Sequence, residues 1–165
     1  MEKNKKKSLT PVQAMARLES LCARSEHSVG ELKMKLRTWG VSYPDACEIL
    51  DSLQKRRYVD DERFARAYTR DKLRFSRWGR AKIRIGLMSK RVDSVYIKQA
   101  LDEIDNEEYL DVMLAVLRIK MRTIEDIDSY EGRTRLFRYG VSRGFEVEEV
   151  SKAIRSKELW DSEKR

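Results

Sequence analysis

Residues 58–91 read YVDDERFARAYTRDKLRFSRWGRAKIRIGLMSKR. Asp60-Asp61-Glu62 sets carboxylates at a helix start, where unpaired backbone N–H groups and the positive end of the dipole favour them. Phe64, Ala67, Tyr68 and Leu73 then recur at helical spacing and form the inner face of that helix. Trp78-Gly79 separates it from a second helix carrying Ile83 and Leu87. Asp93 can cap a third, with Ile97, Ala100, Leu101 and Ile104 turned inward. The stretch and its continuation therefore describe a three-helix unit.

Upstream, the same grammar is legible. Thr10-Pro11-Val12-Gln13 is a helix start, with a capping threonine, a first-turn proline and a glutamine placed to reach back. Ala14, Leu18, Leu21 and Cys22 follow on one face. Ser28-Val29-Gly30-Glu31 is a second capping box. It opens a helix with Leu32 and Leu36 inward, joined by Met34 or Trp39, and ending near Gly40. Ser42, with Pro44 in the first turn, starts a third helix whose Ala46, Ile49, Leu50 and Leu53 share a face. Downstream, residues 92–131 hold eleven Asp/Glu against four Lys/Arg. Within that acidic span Leu110, Met113, Leu114, Leu117 and Met121 make a long apolar stripe. Ser129 caps a helix with Leu136, Phe137 and Tyr139. Gly144-Phe145 leads into a last helix with Val150, Ala153 and Ile154.

These three trios are one pattern used three times. Ala46, Ile49, Leu50 and Leu53 fall on Ile97, Ala100, Leu101 and Ile104 at a shift of 51 residues. Ala46, Ile49 and Leu50 fall on Val150, Ala153 and Ile154 at a shift of 104. Val41, Val92 and Phe145 keep the same shifts, as do Leu32, Ile83 and Leu136. Sliding any two amphipathic helices yields one match. Several helices agreeing at one shift indicates a helical repeat array. The expected fold is all-α: an elongated, curved array of three tandem three-helix repeats, at 10–58, 59–105 and 106–158. Residues 1–9 are expected as a basic flexible tail and 159–165 as a C-terminal tail, with Trp160 able to pack back. Each unit alone buries a modest core, so neighbours should lean on each other.

Composition narrows the function. Of the 165 residues, 39% are charged and 41% hydrophobic, with only two prolines and seven glycines. That is too apolar and periodic for disorder, and favours helices. A net charge of +8 suits nucleic acid, an anionic surface or an acidic protein. Cys22 and Cys47 are too few and too far apart for a zinc cluster or a disulfide framework, and read as small buried thiols. No leader or membrane span is visible, so a cytoplasmic protein is expected.

The sequence offers little for catalysis. There is no glycine-rich phosphate loop, acid–base pair or nucleophile triad. His27 precedes the capping Ser28 and reads as structural. Asp60-Asp61-Glu62 could hold magnesium, but helix capping explains it more simply. The expectation is a protein that is not an enzyme and takes no cofactor and no metal. The basic residues say more. Between Lys55 and Arg91 there are fourteen Lys/Arg and four Asp/Glu. Arg70, Lys72, Arg74, Arg77, Arg80, Lys82, Arg84, Lys90 and Arg91 form the candidate binding face, with Lys33, Lys35 and Arg37 added from the first unit. Phe75 and Trp78, lying among them, are expected in the core.

Two segments resemble a known family. His27-Ser28-x-x-Glu31-Leu32-x-x-Lys35-Leu36 resembles the opening signature of the RecX regulators of the RecA recombinase. Tyr58-Val59-Asp60-Asp61-Glu62-Arg63-Phe64-Ala65 resembles their diagnostic DDERFA run. Gly79-Arg80-x-x-Ile83 and Gly144-Phe145 fit as well, and the similarity covers about residues 12–156. The resemblance implies tandem three-helix repeats and a monomeric cytoplasmic partner of the RecA filament. Such a protein binds along the filament and its single-stranded DNA, free DNA only weakly, and mostly inhibits ATPase, strand exchange and filament growth in recombination and DNA repair. The alternative from the residues alone is an independent DNA-binding helical protein.

Overall fold

The computed structural model describes residues 8–161, and all the regular structure among them is helical. In the first trio, α1 (Pro11–Cys22), α2 (Val29–Thr38) and α3 (Tyr43–Lys55) follow the sequence signals closely. Thr10 and Gln13 form a reciprocal capping box on α1, and Ser28 and Glu31 do the same on α2. Ser42 caps α3 with Pro44 in its first turn. The middle trio is α4 (Asp61–Arg74), α5 (Arg80–Ser89) and α6 (Ser94–Asp102). The last is α7 (Asn106–Met121), α8 (Tyr130–Ser142) and α9 (Val147–Arg155), followed by the short α10 (Lys157–Asp161).

The repeat holds at the level of burial. Leu32, Ile83 and Leu136 are each fully enclosed, and the third-helix positions Ala46, Ile97 and Val150 are buried alike. It holds in the backbone too. Gly40, Arg91 and Gly144 stand at equivalent positions before the third helices, with φ of +72°, +58° and +92°. This left-handed residue ends each second helix by turning the chain toward the third, the usual work of a glycine just past a helix end.

By compactness the described residues form two bodies: 8–66 with 87–97, and 67–86 with 98–161. The repeat boundaries read from sequence do not coincide with this division, because the middle trio contributes to both. In the first body, α1 and α2 pack on α3 around Ala14, Leu18, Leu32, Leu36, Ile49 and Leu53. Each buried leucine of this kind contributes about 1.5–3 kcal/mol. In the second, α8 packs on α7 and α9, and α10 packs on α7 and α9.

Several expectations need correction. Leu9 packs on the first core and its N–H donates to the Trp39 carbonyl at 3.0 Å, so it is no tail. Leu159 is buried and the Trp160 indole donates to the Ile154 carbonyl at 2.9 Å, so 159–161 are held by α10. The remaining tail positions, 1–7 and 162–165, lie outside the described residues. Phe75 is 81% exposed, not core, because α4 has ended and the chain is turning there. Cys47 is exposed, whereas Cys22 is half-buried. Tyr109, Val116 and Ile124 are buried although the apolar stripe did not single them out.

Candidate partner-binding surface

The two sequence signatures meet in the first body. Asp60 caps its own helix, accepting the Arg63 N–H at 3.0 Å. Asp61 does something different: its Oδ1 accepts the Val29 N–H at 2.8 Å, at the first turn of α2. The Ser28 hydroxyl donates to the Lys90 carbonyl at 2.5 Å, and the Lys90 ammonium pairs with Glu31 Oε1 at 2.6 Å. Arg63 pairs with Glu26 at 2.8 Å. Burial pushes the Asp61 carboxyl up, the charges of Asp60, Asp93 and Glu31 add to this, and the Val29 N–H only partly offsets it. Burial also works on Glu31, but the Lys90 ammonium and the Ser28 N–H outweigh it and hold its carboxyl below the usual range.

The second body repeats this joint with other residues. The Arg80 N–H, equivalent to that of Val29, donates to the Tyr109 hydroxyl at 3.1 Å. The Gly79 N–H donates to the Arg143 carbonyl at 2.9 Å, and the Ala81 N–H to the Gly144 carbonyl at 3.0 Å. Tyr109 donates in turn to Glu146 at 2.5 Å and packs against the Phe145 ring at 5.4 Å. Burial first, and then the Glu146 carboxylate, raise its hydroxyl well above the ordinary phenol value. Sequence reading missed Tyr109, Glu146 and Arg143, because no local pattern marks a side chain that caps a distant helix.

The twelve candidate cations fall into three groups. Three are engaged internally. Arg74 holds Glu108 through two nitrogens, at 2.6 and 3.3 Å. Arg80 stacks on Tyr109 at 3.8 Å, reaches Glu146 at 3.5 Å and donates to Asn106 at 3.0 Å. Lys90 is tied to Glu31 as above. In the second body, Lys72 and Lys82 lie over the Trp78 ring at 4.8 and 5.0 Å. Arg77, at φ +53°, is exposed in the same turn, which Arg143 fixes by donating to the Ser76 and Arg77 carbonyls. Arg70 and Arg84 are exposed on α4 and α5, Arg70 only 3.8 Å from its neighbour Asp71. In the first body, Lys33, Arg37 and Arg91 line one groove, and Lys35 is half-buried on α2.

The geometry suits binding. Ammonium groups flanking a half-buried indole, with an exposed Phe75 and Arg77 nearby in sequence, are the parts from which polyanion-binding surfaces are built. The carboxylates of Asp60 and Asp61 are engaged as helix caps. Among the described residues, no cluster of His, Cys, Asp and Glu has the arrangement of a metal site. Nor is any described helix long and apolar enough to cross a membrane.

Comparison with known proteins agrees with this picture. The family model for the second three-helix domain of RecX matches residues 60–101. A Clostridium botulinum protein named Regulatory protein RecX is 27% identical over 136 residues, covering 79% of this chain and 63% of the relative. An Acinetobacter baylyi protein of the same name is 27% identical over 135 residues, covering 82% of each chain. This chain thus spans under two thirds of the clostridial relative's length. The crystal structure of RecX from Lactobacillus salivarius superposes with a TM-score of 0.81 at 19% identity, over 90% of this chain and 96% of that one. The two signatures meet in one joint, the middle trio matches the RecX second three-helix domain, and the helical fold is shared with a RecX crystal structure, so this chain is similar to the RecX regulatory proteins.

Proposed function

We propose that this protein is a non-catalytic regulator that binds the RecA nucleoprotein filament in the cytoplasm and restrains ATP hydrolysis, strand exchange and filament growth. The observation that carries the reading is the family match together with the Trp78 surface of the second body. There Lys72 and Lys82 stand over an indole beside the exposed Arg77. The repeating units of the array are 10–58, 59–105 and 106–158, and the protein acts as a monomer. Arg70, Lys72, Arg77, Lys82 and Arg84 face the filament's acidic lobes or DNA phosphates. Lys33, Lys35, Arg37 and Arg91 add contacts from the first body. Arg74, Arg80 and Lys90 serve chiefly by holding the fold that presents the others.

The test adds purified protein, substoichiometric to RecA, to filaments on single-stranded DNA. ATPase and strand exchange should both fall. A variant with Arg70, Lys72, Arg77 and Lys82 reversed to glutamate should keep its helicity and lose the effect. Unchanged ATPase and strand exchange with the parent protein would overturn the reading. Tight duplex binding at a selected consensus site without RecA would favour an independent DNA-binding protein instead.

A further inference from the structure

The first body carries a groove of about 430 Å³ beside α2 and α3. Its floor is aliphatic, from Met34, Val41, Ala46 and Leu50. Tyr43, 71% exposed, and Met34, 37% exposed, present apolar surface that the trio itself does not cover. Lys33, Arg37 and Arg91 stand in its lining, and none of its described lining residues is acidic. None of the three cations is held in an ion pair among the described residues; Lys33 lies over the Tyr43 ring at 5.6 Å.

Arg91 occupies a position that the repeat otherwise gives to glycine. Gly40 and Gly144 take the same left-handed turn without strain, whereas an arginine at φ +58° is strained. The fold makes room for it: a Cβ on Gly30 would run into the Cβ of Arg91. Backbone stability asks for glycine at 91. The arginine, which shares its left-handed backbone with Arg57 and Arg77, instead adds a guanidinium to the groove.

We propose that this groove is the docking site for an acidic, amphipathic segment of a partner protein. An apolar side chain of the segment seats on the Met34–Leu50 floor, and its carboxylates align with Lys33, Arg37 and Arg91. Helical segments bind in apolar grooves in this way, and a charged rim selects the sign of the partner. A nucleic acid fits less well, because strands are gripped by successive aromatic platforms, and Tyr43 is the single aromatic among the described lining residues, beside an aliphatic floor. The inference gives Lys33, Arg37 and Arg91, which the filament reading counts among its contacts, a protein segment and not DNA as their partner, and it does not require that this partner be RecA.

The probe is a fluorescein-labelled amphipathic helical peptide of about 15 residues, with leucines on one face and glutamates beside them. Its controls are a twin with lysine for glutamate and an oligothymidylate of about 20 nucleotides. Cys47, in the groove lining, reports occupancy through its rate of alkylation, assigned by mass spectrometry. The acidic peptide should bind and slow Cys47 alkylation, and the lysine twin should bind at least about tenfold more weakly. Arg91→Gly should weaken the acidic peptide about tenfold without lowering the melting temperature. Equal binding of the two peptides, unchanged affinity in Arg91→Gly, or protection of Cys47 by the oligonucleotide alone would each overturn the proposal. No RecA is present, so failure here leaves the filament reading standing. An inert filament assay with intact peptide binding would overturn that reading alone.

Discussion

Asp61 shows how much one side chain can carry beyond its own helix. It sits in an acidic run that reads as a local cap, yet it satisfies the N–H of Val29. Its carboxyl is raised in the folded state, first by burial and then by neighbouring acids. The folded protein therefore holds the proton more tightly than the unfolded chain. Stability from this group is fully present below the unfolded value and falls as pH rises through the folded one. Asp61→Asn keeps an acceptor for Val29 and removes the charge. It should melt no lower than the parent at pH 7, with any advantage shrinking as pH falls through the carboxylate range. Asp61→Ala, with no acceptor, should lose about 1 kcal/mol. Thermal melts across pH check both, and an asparagine variant less stable than the alanine one would contradict the account.

At the scale of elements, the third helix of each trio was the most legible feature. Leu50, Leu101 and Ile154 recur because a nine- to thirteen-residue helix with one buried stripe has few ways to pack. Leu101, only 3% exposed, should cost roughly 2–5 kcal/mol on truncation to alanine. Phe75→Ala, at an exposed site, should stay within about 0.5 kcal/mol. Differential scanning calorimetry on the pair separates core from surface, and equal losses would refute the assignment. The sequence misplaced Phe75 because an aromatic one residue past a helix end still fits the periodicity of that helix. Burial of Tyr109 escaped notice because it follows three charged or polar residues at the start of α7, where exposure is the normal expectation.

For the molecule as a whole, the informative unit is the joint, more than the trio. The start of a second helix meets the left-handed turn of the following trio twice, once in each compact body. In the first body the glycine is on the helix, Gly30, and the larger residue on the turn, Arg91. In the second the roles exchange: Ala81 is on the helix and Gly144 on the turn. Gly144→Ala should therefore be destabilising by more than about 1 kcal/mol, since its φ of +92° disfavours a side chain and a Cβ there would strike Lys82. Denaturant titration checks this, and an unchanged midpoint would show that the second joint is looser than its hydrogen bonds imply.

The amino-acid sequence by itself determined the helices, their caps, the threefold repeat, the core of each trio and the resemblance to RecX proteins. All of these are written in spacings of three, four or about fifty residues, which bind neighbours on one helix or equivalent positions in a repeat. The tertiary structure alone decided which cations remain available. Arg74 and Arg80 look like Lys72 and Arg77 in the sequence, but Glu108, Tyr109 and Glu146 arrive beside the first pair from α7 and the α8–α9 turn. Charge is a property of the residue, whereas neutralisation depends on what the fold brings within a few ångströms of it.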